Sequence, residues 1–379
     1  LNTILESPLG QETCLKCHST DYMLAIEDEK PAFDAVEFSI ECVACHASHG
    51  SDEDHELRVE REEICSQCHR TFDTPPGETV HHPQTEMVAG IIDIPEIIGF
   101  PWMDGEASCA DCHMPLVATG AVDFDIASHS FYHISPGKSV TFDMPNSCTV
   151  SCHGGQGSTS EPGQTLTDEE ALAFIESWRA DITGLLPDAE ASVEAAAKAL
   201  EDAEGYGFSE EVIEAQTEAY NKTLLAKEYV VSDGTMVHNH DFAMKLLRYA
   251  MDEGAVVVAA LTPGTIIGVV KDGDGKVVSG AEIRSGGITW ATTGEDGAFT
   301  IAIAPGTHTF GIYEDGEMTH EFEAESPGEG GTNDLGTVRY ESDDNGNGDD
   351  LWLWIMLITV IMIVVFSAFM MSGGGDKRK

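Results

Sequence analysis

The stretch CADCHMPLVATGAVDFDIASH, residues 109–129, decides how the fold of this chain is interpreted. Its two cysteines, Cys109 and Cys112, are three positions apart, and His113 follows the second directly. The same pattern of two cysteines and an adjacent histidine uses all ten cysteines of the chain and recurs at Cys14, Cys17 and His18, at Cys42, Cys45 and His46, at Cys65, Cys68 and His69, and at Cys148, Cys152 and His153. In the last of these, three residues separate the cysteines instead of two.

A repeated C-x-x-C-H pattern predicts covalently attached haem, because the two thiols form thioethers and the adjacent histidine binds the iron. A structural zinc ion would need a second cysteine pair and has no use for a histidine at a fixed position. A redox-active pair is expected once, beside a strand–helix unit, and a disulfide framework would not repeat the histidine. The sequence therefore predicts five covalently bound haem c groups, with the irons ligated on their proximal side by His18, His46, His69, His113 and His153. The extra residue between Cys148 and Cys152 is expected to be absorbed in a loop.

Further histidines could ligate the irons on the distal side. Outside the motifs and the C-terminal β region, eight remain, namely His49, His55, His81, His82, His129, His133, His238 and His240. Two axial imidazoles give a low-spin iron that exchanges electrons with little rearrangement and has no free position for a substrate. Eight candidates suffice to close five irons, and of each of the pairs His81/His82 and His238/His240 one member is expected to bind.

Residues 11 to about 252 resemble the multihaem cytochromes related to the pentahaem ammonia-forming cytochrome c nitrite reductase and hydroxylamine oxidoreductase. The resemblance is carried, in order, by TCLKCHSTD (13–21), ECVACHASHG (41–50), ICSQCHRTF (64–72), HHPQTEMVAG (81–90), CADCHMP (109–115), ASHSFYHISP (127–136), NSCTVSCH (146–153) and DGTMVHNHDFAMKLLRYAM (233–251). It implies that the distal ligands are His49, His82, His129 and His238, with either His55 or His133 as the fifth.

The chain departs from the nitrite reductase pattern at three catalytic positions. The first motif ends in His18 where the enzyme usually has lysine, the active-site tyrosine is matched by Phe72, and residues 1–13 contain no arginine. His129 matches the active-site histidine of the enzyme, but in electron-carrying relatives this residue is a haem ligand. We therefore assign no catalytic residue and expect an electron carrier. The alternative is a nitrite or hydroxylamine oxidoreductase with one open haem.

Residues 166–260 are expected to form helices that brace the haem-binding region of residues 1–165. Thr167 and Glu170 make a capping box, and Ser209 is a candidate N-cap of a second helix. A third helix is predicted near 242–251, after His238. Because porphyrins would supply most of the apolar interior, the first region is predicted to be loop-rich, and the whole domain mostly α. In relatives the helical region pairs subunits, so the resemblance is compatible with a homo-oligomer.

Residues 264–340 alternate between apolar and polar side chains, with turns such as DGDGK and EDGA between the runs. This pattern predicts a β-sandwich of about seven strands, immunoglobulin-like or prealbumin-like. The region resembles the carboxypeptidase regulatory-like domain, a non-catalytic module. His308 and His320 are expected to be surface or strand residues and not metal ligands.

The C-terminal residues predict a membrane anchor. An acidic linker, 341–350, precedes 21 uncharged residues, 351–371, which as a helix would span a bilayer core of about 30 Å. Trp352 and Trp354 lie at one end, and the tail 372–379 ends in three basic residues. Basic flanks stay in the cytoplasm, so the haem domain is expected on the extracytoplasmic side of the cell membrane. That is where haem c is attached. The chain begins without Met and shows no signal peptide, as expected of a mature secreted chain.

The formal charge of −48 disfavours nucleic acid and anionic lipid headgroups as partners. The acidity fits a solvated surface in high salt, as in a halophilic organism, or alternatively a docking face for a basic redox protein. The predicted function is electron transfer from a quinol-oxidising membrane module or another cytochrome to a terminal reductase, an extracellular acceptor or a second cytochrome.

Overall fold

The computed structural model describes residues 12–32, 35–71, 80–101, 108–114, 116–118, 125–127, 167–234 and 236–340. It divides into two compact units, with the boundary between Leu261 and Thr262. Several predictions concern residues outside the described ranges and remain predictions: Phe72, His129, His133, the motif of Cys148, Cys152 and His153, and everything from 341 to 379. Among the described residues, no helix combines the length and the apolar character needed to cross a membrane.

The first four cysteine motifs each contain a short helical segment. They are helix α1 (Glu12–His18), helix α3 (Cys42–Cys45), a 3-10 turn (Cys65–Gln67) and helix α5 (Cys109–His113). Positions three apart lie on the same side of a helical turn, so both cysteines of each motif face one way. The other short elements of this region are α2 (Thr20–Leu24), two 3-10 turns (Glu27–Glu29 and Asp54–Glu56), α4 (Gln84–Ala89) and the antiparallel strands β1 (Leu116–Ala118) and β2 (Asp125–Ala127).

Three long helices complete the first unit: α6 (Asp168–Ala203), α7 (Glu210–Ser232) and α8 (His240–Ala260), with a 3-10 turn (Glu204–Tyr206) between the first two. The predicted capping box is confirmed, because the Thr167 side chain accepts from the Glu170 N–H and the Glu170 carboxylate accepts from the Thr167 N–H. Ser209 caps α7 as predicted, accepting from the Val212 N–H. Helix α8 continues well beyond the predicted end at 251.

Helix α8 packs closely against α6. An added Cβ at Gly254 would come within 2.4 Å of the Ser192 Oγ and 3.1 Å of the Ser192 carbonyl oxygen, so an alanine there would force Ser192 to shift. Ser192 Oγ in turn donates a hydrogen bond of 2.9 Å to the carbonyl oxygen of Met251. A glycine in mid-helix ordinarily weakens the helix, but here the contact between helices compensates for that cost.

The helices share one apolar core with the segment that precedes the Cys109 motif. Its buried side chains come from α6 (Ile182, Ala189, Val193), α7 (Ala226, Tyr229, Val230), α8 (Phe242, Ala243, Leu246, Leu247, Ala250) and residues 80–97 (Val80, Met87, Ile94, Ile97). The segment that carries His81 and His82 is therefore fixed to the helical scaffold. Nearer the first motif, by contrast, a small cluster consists of Leu15, Tyr22 and Val36.

The second unit is a β-sandwich of seven strands, as the alternating pattern predicted. The strands are β3 (Gly264–Lys271), β4 (Glu282–Ser285), β5 (Ile288–Thr292), β6 (Ala298–Ile303), β7 (Gly306–Glu314), β8 (Glu317–Ser326) and β9 (Thr332–Arg339). They form a three-stranded sheet in the order β6-β3-β9 and a four-stranded sheet in the order β5-β4-β7-β8. All pairings are antiparallel except β3 with β9.

Side chains from both sheets of the sandwich pack into one core, which includes Ile266, Ile283, Ile301, Phe310 and Ile312. The two histidines of this unit lie in its strands. His308 donates from Nε2 to the Ala304 carbonyl oxygen at 2.7 Å, and the ring of His320 lies 5.9 Å from that of Tyr340. The likeness of this unit to a carboxypeptidase regulatory-like domain remains a prediction.

Candidate haem-binding site

The four described cysteine motifs lie close together, with the Cys65 motif in the middle. The Cys68 thiol hydrogen-bonds Cys17 of the first motif, and the Cys65 thiol hydrogen-bonds Cys109 of the fourth. In the thiol form, before haem is attached, accepting these hydrogen bonds lowers the pKa of Cys17 to about 7 and that of Cys109 to about 6, while the pKa values of both donors rise. Haems attached at neighbouring motifs would therefore be close neighbours.

His82 lies opposite two of the predicted proximal histidines. Its ring centre is 6.0 Å from that of His18 and 5.6 Å from that of His69. One ligand atom from each of His18, His81 and His82 can be chosen so that all three lie within 4.8 Å of one another. Burial, followed by the charges of nearby histidines, lowers the pKa of His82 to about 4, and burial also lowers the pKa of His18. Both imidazoles are thus held neutral, the form that binds a metal.

The backbone at His82 is in the left-handed region, with a φ of 56°. This conformation costs a non-glycine residue roughly 1–3 kcal/mol and is kept only where the surroundings enforce it. Two hydrogen bonds hold the chain on either side of His82. The Thr85 N–H donates to the His69 carbonyl oxygen at 2.9 Å, and Ser232 Oγ donates to the Val80 carbonyl oxygen at 2.8 Å. The predicted ligand is thus tied to both the third motif and α7.

His238 faces His113, the predicted proximal ligand of the fourth motif. Their ring centres are 6.0 Å apart and their planes are inclined by 23°. An imidazole nitrogen lies about 2 Å from the metal that it binds, so two imidazoles on opposite sides of one ion have ring centres roughly 6 Å apart. The distance between these two rings is therefore the one expected for an iron ligated on both sides. Asn239 fixes this position by capping α8 through Phe242 and donating to the Phe100 carbonyl oxygen at 2.9 Å.

The hydrogen bonds of two of these histidines also orient the nitrogens that remain. His238 Nδ1 donates to Asp233 Oδ1 at 2.6 Å, and His46 Nδ1 donates to the carbonyl oxygen of His55 at 2.9 Å. In both cases Nε2 is the nitrogen that could bind a metal, which is the usual arrangement for metal-ligating histidines. Asp233 was not predicted from the sequence, because its contact with His238 depends on where α7 ends.

The positions of the other described candidates for distal ligands do not bring them opposite a proximal histidine. His49 and His55 are exposed, and His55, like His82, has a left-handed backbone. The described contact of His55 with the second motif is through its backbone carbonyl, and distal roles for it and for His49 stay predictions. His240 stacks on Trp178 with ring centres 5.8 Å apart and contacts the carboxylate of Asp181 at 3.3 Å.

Two protein families match parts of the chain. Residues 36–74 match the doubled CXXCH motif family, and residues 98–263 match the cytochrome c552 family. No curated protein matches the chain significantly.

Three solved structures illustrate the likeness. The outer cell wall cytochrome OcwA has 29% identity and a TM-score of 0.51, over 67% of this chain and 47% of its own. An undecaheme cytochrome from the S-layer of Carboxydothermus ferrireducens has 21% identity and a TM-score of 0.41, over 67% of this chain and 39% of its own. The cytochrome c nitrite reductase of Desulfovibrio desulfuricans has 17% identity and a TM-score of 0.44, over 66% of each chain.

Of these three structures, OcwA has the highest identity and TM-score, and this chain spans only about half of its length. The OcwA match spans two thirds of this chain, and the cytochrome c552 match includes the Cys109 motif, His238 and the three long helices. Together with the C-x-x-C-H motifs and the facing histidines, these matches make the chain a multihaem c-type cytochrome, which binds haem covalently through those motifs.

Proposed function

We propose that this protein is a pentahaem electron carrier in which two histidines close each iron. The observation that supports it most directly is the pair His113 and His238, whose ring centres are separated by the distance expected across one iron. His18 and His82, also 6.0 Å apart, support a second closed iron. An iron with two imidazole ligands has no free position for nitrite or hydroxylamine, so its reaction is the gain and loss of one electron.

The haem supplies the reversible change of oxidation state, and the chain supplies ligands, insulation and spacing. Neutral, half-buried imidazoles such as His82 are ready to bind iron without first losing a proton. Cys68 contacts Cys17, and Cys65 contacts Cys109. The third motif therefore lies between the first and the fourth in space. Electrons would therefore pass between neighbouring haems through the Cys65 motif, which has a partner on each side.

We further propose that the haem domain lies outside the cell membrane, anchored by residues 351–371. The uncharged run, its tryptophans and its basic tail support the anchor. OcwA is an outer cell wall cytochrome, which is consistent with an extracellular location. Partners are then other cytochromes, a quinol-oxidising module or an extracellular acceptor, and the acidic surface would favour a basic redox protein at moderate salt.

Two measurements on the purified protein test this proposal. Pyridine haemochrome quantitation with intact mass should give five haems per chain, including one at the Cys148 motif. The resting EPR spectrum should contain only low-spin ferric signals and should not change when nitrite or hydroxylamine is added. A stoichiometric high-spin signal that responds to either compound would overturn the electron-carrier assignment in favour of an oxidoreductase.

A further inference from the structure

We propose that Asp233 is a positioning residue that fixes the orientation of His238 and lowers the reduction potential of the haem bound at the Cys109 motif. This inference rests on the proposed function in one respect only, namely that His113 and His238 ligate the same iron. It adds a tuning group outside the ligand set. The contact that carries it is the hydrogen bond of 2.6 Å from His238 Nδ1 to Asp233 Oδ1.

The carboxylate and the imidazole are both withdrawn from water. The Asp233 side chain is fully buried and that of His238 is 15% exposed. A short hydrogen bond between an imidazole N–H and a buried carboxylate is stronger than one made in solvent. It fixes the proton on Nδ1, so Nε2 would be the ring nitrogen that binds the iron.

The scaffold holds Asp233 rigidly at the end of helix α7. The Asp233 N–H donates to the Tyr229 carbonyl oxygen at 3.1 Å, and the Asp233 carbonyl oxygen accepts from Gln84 Nε2 at 3.2 Å. Gly234, with a φ of 74°, then turns the chain away from the helix. Gln84 belongs to the helix that follows His82, so the end of α7 is linked to both predicted distal-ligand segments.

The position of this carboxylate is unfavourable unless a positive charge lies nearby. The C-terminal end of a helix carries a partial negative charge, which repels an acidic side chain. A buried carboxylate also loses its hydration, and within the described part of the chain Asp233 Oδ2 has no hydrogen-bond partner. A ferric haem bound to His238 would provide the missing positive charge. The arrangement is thus better explained by a cation beyond His238 than by helix capping.

The effect on the iron follows from the charge that the hydrogen bond gives to the ring. An imidazole that donates to a carboxylate is a stronger base, and it stabilises ferric iron more than ferrous iron. Reduction then adds one electron to the iron while the proton stays on Nδ1. At the second motif, His46 Nδ1 donates to a neutral backbone carbonyl instead. We therefore expect the reduction potential of the Cys109 haem to be lower than it would be if His238 donated to a neutral carbonyl, as His46 does.

The test is a redox titration of the full chain with all its haems, comparing Asp233→Asn with the unaltered protein. We expect one of the five one-electron steps to move to higher potential by about tenfold or more in its equilibrium constant, roughly 59 mV, while the other four stay in place. The same haem should show a changed low-spin EPR signal, which a merely structural role would not produce. The matched control is Asp241→Asn. The Asp241 carboxylate contacts His240 Nδ1 at 3.0 Å, but the Asp241 side chain is fully exposed. This variant should shift none of the five reduction potentials.

Asp233→Glu keeps the negative charge and is the second variant. If it retains the low potential, or if it keeps its haem where Asp233→Asn loses it, the inference is supported. Unchanged potentials in a low-spin Asp233→Asn protein would overturn it, as would equal effects of both variants, including loss of haem from both. A high-spin signal in the unaltered protein would instead count against the proposed function, and the comparison between variants could still be read.

Discussion

The imidazole of His238 faces that of His113 with ring centres 6.0 Å apart, although the two residues come from distant parts of the chain. His113 ends a helical turn within its cysteine motif, whereas His238 lies just before α8. The three-helix core therefore does more than support the haem region, because it places the predicted distal ligand His238 near His113. The stability of the helices and the ligation of this iron should consequently be linked.

Removing the imidazole of His238 gives the most direct prediction. In His238→Ala, one of the five haems is expected to become high-spin, because its iron loses one axial imidazole while His113 remains. EPR and the optical spectrum would report the change, and added imidazole should reverse it by occupying the vacated position. His240→Ala is the matched control, since that ring stacks on Trp178. A fully low-spin His238→Ala protein would contradict the assignment of this residue.

A second prediction concerns acid pH. The pKa of His82 is lowered to about 4 from an ordinary value of about 6.5, chiefly by burial. Between these values the unfolded chain binds a proton that the folded protein does not, so the free energy of unfolding falls as the pH drops from 6.5 to 4. Iron binding to the neutral ring acts in the same direction.

The measurement is denaturant unfolding followed by haem absorbance at several pH values within that window. His82→Asn should reduce the loss of stability with acid, because one proton-binding site with a lowered pKa is gone. The difference between the two proteins should survive high salt, since burial and not a surface charge is its main cause. An identical pH slope in both proteins would refute this explanation.

The parts of the fold that were predicted depend on local rules. The caps at Thr167 and Ser209 are decided by hydrogen bonds within three residues, and the strands by alternation between turns. Helix α6 runs through Pro187, which local rules disfavour, because Ile182 and Ala189 on either side of it are fully buried in the core. The role of Asp233 could not be foreseen, since it depends on where α7 ends relative to His238.

The predictions about the site also divide into local and long-range ones. The cysteine spacing predicts the proximal histidines because each of them lies within its own motif. The predicted distal ligands come from other parts of the chain. The resemblance to the multihaem cytochromes implied His82 rather than His81, and the structure has His82 half-buried near His18 and His69, with His81 exposed. Nothing in the spacing of the histidines alone would have distinguished these neighbours.

A third prediction concerns the packing of α6 and α8. Gly254→Ala should destabilise the protein by about 1–3 kcal/mol, because the new Cβ would meet Ser192 Oγ at 2.4 Å in a tightly packed contact. Gly184→Ala in α6 is the control, since no atom of the described residues lies within 4 Å of its added Cβ. Alanine there should stabilise the helix by roughly 0.5–1 kcal/mol. Thermal or denaturant unfolding would measure both, and effects of the same sign would contradict this account.

A fourth prediction concerns the β-sandwich at alkaline pH. Burial and a hydrogen bond to Glu314 raise the pKa of Tyr340 to about 12. The unfolded chain loses this phenolic proton at a lower pH than the folded protein, so stability should fall as the pH rises from about 10 to 12. Absorbance titration should show one fewer late-ionising tyrosine in Tyr340→Phe than in the unaltered protein, because Tyr229 and Tyr249 also have raised pKa values. In Glu314→Gln, Tyr340 should ionise earlier, and an unchanged titration in either variant would be evidence against the hydrogen bond.

The last prediction tests the proposed anchor separately from the haem chemistry. A chain ending at Tyr340 lacks the linker, the uncharged run and the basic tail, and it keeps every described strand of the sandwich. We expect it to move from the membrane fraction to the soluble fraction while retaining five haems per chain, because burying about 20 apolar residues in lipid is what holds the longer form. A chain lacking only the three final basic residues is the control and should stay with the membrane. If the chain ending at Tyr340 remained membrane-bound, the attachment would have to lie in the haem domain or the sandwich, and residues 351–371 would need another role.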